Sequence, residues 1–95
     1  MKLSQMSLDR LADYSLNSNP NDESVQDAIQ NECISRIEQH GRDYYLERYQ
    51  KVSTVFASVP SATNFARLHI LALLLQAAAW CEKFDRQHEQ AMAIA

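Results

Sequence analysis

Apolar residues recur along this chain at helical spacing, and one stretch abandons the amphipathic pattern altogether. Leu8, Leu11, Ala12 and Leu16 fall at offsets of zero, three, four and eight. Those offsets mark one face of a first helix over residues 4–16, with Ser4 or Ser7 as its N-cap. The cluster Asn17-Ser18-Asn19-Pro20-Asn21 ends it, being the densest group of turn formers in the sequence.

A second series begins there. Asn19 is suited to capping and Pro20 to a first helical position, and Asp22, Glu23 and Asp27 oppose the helix dipole. Val25, Ala28, Ile29, Cys33, Ile37, Tyr44, Tyr45, Tyr49, Val52, Val55 and Phe56 then follow in steps mostly of three and four. The pattern predicts a helix over residues 20–57, about 50 Å long at 1.5 Å per residue. Its weak point is Gly41, because glycine costs about 1 kcal/mol in a helix interior. A kink, a break or a close crossing is expected there. Ser58-Val59-Pro60-Ser61 is the next turn, since Pro60 biases Val59 away from helical geometry.

The third helix, residues 61–93, contains the exceptional stretch. From Phe65 to Phe84 the chain reads FARLHILALLLQAAAWCEKF and leaves no wide polar stripe. A helix apolar all round must be buried all round. With so short a turn before it, it should lie antiparallel to helix two. The expected fold is all-α: a long antiparallel helical hairpin plus a short N-terminal helix, in one domain over residues 1–95. One neighbour covers about a third of helix three and the short helix part of another third. The remaining side calls for a second molecule, and two-fold dimers dominate soluble oligomers. Homodimerisation completing a bundle is therefore expected, with Leu68, Leu71, Leu74, Leu75, Ala78 and Trp80 as the self-association residues.

Composition sharpens this picture. One Gly and two Pro in 95 residues disfavour all-β folds, Gly-rich phosphate loops and long linkers. Only 14 residues separate Arg67 from Glu82, with His69 and Gln76 among them. That is short of the about 20 apolar residues of a membrane span, so a core helix is expected and no membrane partner. The N-terminal segment MKLSQMSLDRL lacks the apolar core of a signal peptide. Two cysteines are too few for a disulfide framework and fit thiols in a reducing cytoplasm.

The net charge of −3 is uneven. Residues 1–35 carry Lys2 and Arg10 against Asp9, Asp13, Asp22, Glu23, Asp27 and Glu32, and the rest is nearly balanced. There is no global basic signature of a nucleic-acid binder.

Candidate chemistry is sparse. Cys33 and His40 are seven apart, as are Cys81 and His88, with Asp85 between the latter. A hairpin turning near Pro60 would set His40 across from about Ala79 to Cys81 and Cys33 across from about Arg86. Structural zinc sites use close local ligand pairs, which this chain lacks, so neither metal nor cofactor is expected. His69 and Gln76, seven apart within the apolar run, suggest a polar seam that fixes register in a packed interface.

The tract from Arg42 to Lys51 is the best recognition surface, because Tyr and Arg dominate binding hot spots. Arg42, Tyr44, Tyr45, Arg48 and Tyr49 are the candidate partner-binding residues, interleaved with Asp43 and Glu47. No di-iron Glu-x-x-His pair, phosphate loop or nucleophile–base constellation is present. The expected function is a small, cytoplasmic, non-enzymatic protein–protein interaction module (inhibitor, adaptor or assembly factor) that acts as a homo-oligomer on a larger protein. The alternative is a nucleic-acid-associated regulator using the Tyr/Arg face of helix two in a dimer. The five-residue turn after the first helix and the acidic start of the second disfavour a helix-turn-helix reader.

Overall fold

A computed structural model of the chain describes the backbone of residues 2–94 and the side chains of residues 2–84. The elements are a 3-10 turn at Leu3–Gln5 and four α-helices: α1 (Leu8–Asn17), α2 (Glu23–His40), α3 (Arg42–Ser58) and α4 (Ala62–Ile94). No strand occurs among the described residues, so the fold is all-helical.

Caps explain where the helices begin. Of the two serines able to start α1, Ser7 does so, its hydroxyl accepting from the Arg10 amide at 3.2 Å. Met6 before it is extended, which leaves Leu3–Gln5 as a separate turn. α2 begins at Glu23, later than the sequence pattern predicts. Asn19 spends its side-chain oxygen on the Asn21 amide at 3.0 Å, closing a local turn that holds Pro20 outside the helix. Asp22 is the cap instead, accepting from the Val25 amide at 3.2 Å.

The long second helix does not run through. Gly41, at φ 82° and ψ 161°, separates α2 from α3, a conformation that a side chain disfavours. Its amide still donates to the Ile37 carbonyl at 2.8 Å, so α2 closes with its last turn satisfied. A single rod could flank α4 along one strip only. Two helices joined by an elbow flank it along two.

α3 runs opposite to α4: the Phe56 and Phe65 rings lie 6.5 Å apart near the turn, and Arg42 reaches Glu82 at 3.5 Å at the far end. α2 ascends alongside α4. Gln26 to Cys33 share a cleft with Leu73 to Trp80, and Ile34 to Glu38 share the next one with Ala78 to Phe84. The third neighbour, α1, crosses the first half of α4, tied by Asp9–Arg67 and by Ser15–His69.

The core follows from this wrapping. Leu11, Ala12, Ile29, Cys33, Tyr45, Ala66, Ile70, Leu71, Leu74, Ala77 and Ala78 are buried, and Ile70 and Leu74 are wholly inaccessible. Arg36 secures the N-terminal segment. Its Nη2 donates to the carbonyls of Leu3 (3.1 Å) and Met6 (2.7 Å), and its Nε donates to Glu32 at 2.7 Å. With its side chain only 12% exposed, this is a largely dehydrated guanidinium bonded through Nε and Nη2.

Two stability measurements check this packing by denaturant unfolding. Leu74→Ala empties a site at the centre of the core and should cost about 3 kcal/mol. Arg36→Ala takes a donor from the Leu3 carbonyl, which keeps the Met6 amide, and leaves the Met6 carbonyl and the Glu32 carboxylate without the guanidinium; it should cost about 2 kcal/mol. A loss under about 0.5 kcal/mol at either position, the level of an ordinary surface change, would contradict the packing described.

Candidate interaction site

Splitting helix two gives α4 a third neighbour, and this changes which of its residues face outward. Leu71, Leu74 and Ala78 are 1%, 0% and 2% exposed, already consumed by the chain's own helices. Leu68 and Leu75 are half-buried. Of the six residues the apolar pattern nominates for self-association, only Trp80 stands out in solvent, at 51%.

Trp80 does not stand alone. Phe84, one turn on, is 54% exposed, and the two rings stack at 5.6 Å with 16° between their planes. They form an aromatic ridge between two clefts. On one side lies a space of about 380 Å³ whose floor is Ile29, Cys33, Leu73 and Ala77, with Gln26, Gln30 and Gln76 at its edge. On the other lies about 470 Å³ bounded by Ile34, Ile37, Ala78 and Cys81, with Glu38, Arg42 and Glu82 around it. In the sequence Phe84 is only the end of the apolar run. Its part in a stacked pair is signalled there by nothing more than a four-residue spacing.

A second apolar corner sits at the other end of the bundle. Phe65, Val59, Val55 and Leu16 are exposed where α1, α3 and α4 meet.

The residues nominated for partner binding separate into two groups. Tyr45 is 4% exposed and belongs to the core, where burial raises its pKa above the usual value. Tyr49 is half-buried against the same core. Arg42, Tyr44 and Arg48 remain outside. Tyr44 carries the Arg48 guanidinium 4.4 Å from its ring centre and the His40 ring stacked at 5.0 Å. These three residues lie four apart across the Gly41 elbow, so a continuous stack persists although the backbone ladder is interrupted.

Histidine and cysteine are dispersed. Cys33 faces Leu73 and Ala77 rather than the region of Arg86, because α2 runs with α4 and not against it. Burial pushes its thiol up to about 11, opposed only in part by Arg36. Among the described residues no group of three or more His, Cys, Asp or Glu is placed to hold a metal ion. Asp85 and His88 lie outside the described side chains. His69 finds its polar partner inside the chain, with Nε2 3.1 Å from the Ser15 hydroxyl, while Gln76 lies exposed at the cleft edge.

By length and composition alone, Ala62–Phe84 is able to cross a membrane, a test that the core helix of a soluble protein also passes; 39% of that window is buried. No protein-family model matches the chain, and neither a curated protein nor a solved structure matches it. The functional reading therefore rests on the surfaces themselves.

Among the described residues, one electrostatic tie lowers a carboxyl below its ordinary value. Arg67 donates from Nε and Nη2 to the two Asp9 oxygens at 2.9 and 3.0 Å. These hydrogen bonds hold the Asp9 carboxyl below its ordinary 3.8, outweighing slight burial. A depressed acid stabilises the fold above its unfolded pKa, and that contribution is lost as pH falls through the lower folded value. Asp9→Asn should therefore lower stability at neutral pH and flatten the acid limb below about pH 4, and added salt should shrink the difference. Parallel stability–pH curves for the two proteins would contradict the tie.

Proposed function

We propose that this chain is a small non-enzymatic protein–protein interaction module that self-associates through the exposed part of α4 and acts on a larger protein as an inhibitor, adaptor or assembly factor. The observation that carries this reading is the Trp80–Phe84 ridge. Two large aromatic side chains, stacked and half-exposed beside apolar clefts, are the composition of an interface centre rather than of an ordinary surface. The homodimer expected from the sequence is retained, with its contact moved from the inner leucines to this ridge. A helical hairpin of α3 with α4, doubled by a two-fold axis, is the corresponding architecture.

The surface offered to a larger partner is the His40–Tyr44–Arg48 stack together with Arg42. A preorganised Arg on Tyr presents both a cation and a planar face at little entropic cost. Thiols rather than a disulfide at Cys33 and Cys81 fit the cytoplasm as the working compartment.

The second reading, a nucleic-acid-associated regulator, draws on the same stack, because aromatic and arginine side chains also receive bases and phosphates. The neighbouring charges favour the protein partner. Asp43 and Glu47 stand among the cations of α3, where they would repel a long phosphate backbone.

Light scattering over a concentration series tests the module reading. The parent chain should approach twice the monomer mass, whereas Trp80→Ser should stay near the monomer mass with a melting midpoint within a few degrees of the parent. A parent that remains monomeric at hundreds of micromolar would overturn self-association. A gel shift with single-stranded nucleic acid, weakening steeply with salt, would move the partner assignment to the second reading.

A further inference from the structure

On the side of the bundle where α1 crosses α3 and α4, three cations line one cleft. Arg48 and Lys51 come from α3 and Arg67 from α4, and the cap residue Ser7 with Leu8 and Asp9 of α1 closes the space. The cleft measures about 390 Å³, and its apolar lining is Leu8, Val52 and Leu71. That volume falls in the range of about 300–1,000 Å³ typical of small-ligand sites, where apolar walls surround a few converging polar groups.

The charges do not cancel. Asp9 is the single carboxylate in the lining, against three cations. It engages Arg67 through Nε and Nη2, which leaves the Nη1 edge of that guanidinium outside the pair. Lys51 reaches Glu47 at 3.0 Å, but both side chains are about 70% exposed, at 73% and 69%. Such an exposed pair is worth little, so the ammonium is readily recruited by a better anion. Arg48 rests on the Tyr44 ring, which restrains the guanidinium without neutralising it. The N-terminal end of α1 adds a positive dipole end to the same lining.

These groups are few, local and paired with apolar walls, which suits a compact anion on an apolar body better than an extended polyanion. One carboxylate would be served by a single arginine fork, whereas three cations match the two charges and three terminal oxygens of a phosphate monoester. We propose that this cleft is a binding site for a phosphate monoester carried on a small apolar or aromatic group, with Arg48, Lys51 and Arg67 around the phosphate and Leu8 and Val52 beneath the apolar part. The site lies apart from the Trp80–Phe84 ridge and does not depend on self-association.

Isothermal titration of the full chain with phenyl phosphate tests the proposal. Binding in the sub-millimolar range is expected at low salt, with inorganic phosphate weaker and phenol without measurable heat. Lys51→Gln and Arg48→Gln should each weaken phenyl phosphate about tenfold, while Lys83→Gln, an exposed cation elsewhere on α4, should leave it unchanged. Asp9→Asn should tighten binding several-fold, because it removes the one competing carboxylate and releases Arg67. A gain of affinity in a variant that lowers stability is not an outcome of damage to the fold. Benzoate distinguishes the anion: affinity equal to that of phenyl phosphate would overturn the phosphate assignment. Absence of phenyl phosphate binding at about 10 mM, or equal loss with Lys83→Gln, would overturn the site itself.

Discussion

A helix that is apolar around its circumference has to be enclosed from every side, and α4 imposes that demand on a chain with little else to offer. Three further helices meet it in part. α1 crosses the first half, α3 returns along its length and α2 ascends beside it, and the buried set from Ala66 to Ala78 is the result. The hydrophobic gain is concentrated at Ile70, Leu71 and Leu74, which the neighbouring helices together keep dry. The other helices are arranged by what they must cover.

Gly41 makes the enclosure geometrically feasible. The patterned stretch from Val25 to Phe56 has enough apolar residues for two faces of α4, but a continuous helix would have applied them all to one. A φ of 82° at the single glycine turns one helix into two, with no other residue at positive φ among those described. The four-residue spacing of His40, Tyr44 and Arg48 keeps a cation–aromatic stack running across the elbow in spite of the break. That stack holds Arg48 at the wall of the basic cleft. Packing and surface chemistry are coupled at this point.

Much of this is legible in the sequence, and where the pattern misleads the causes are identifiable. Helix content, the turns before α2 and α4, and the weak point at Gly41 follow from spacing and from turn formers. The start of α2 is misplaced by the pattern because Asn19 can cap a helix or close a local turn, and only the neighbouring Asp22 decides between them. The inner leucines look like a dimer face because a one-dimensional pattern does not tell how many helices surround a core. Tyr45 has the composition of a recognition residue, and the fold gives it to the core. Arg36 carries no signal at all, since a lone arginine in an amphipathic helix does not show that two carbonyls some thirty residues away will need it. The basic cleft is equally silent, because Arg67 lies in a different helix from Arg48 and Lys51 and only packing unites them.

On the proposed reading, α4 divides into a part enclosed by its own chain and a part that a second molecule would enclose. Native-state hydrogen exchange, followed amide by amide over a wide range of protein concentration, tests this division most directly. Strong protection over residues 66–78 should not change with concentration, whereas protection over residues 79–86 should rise as the protein is concentrated. Protection that is uniform along α4 and rises everywhere with concentration would contradict the division, because the core would then need the second molecule to form at all.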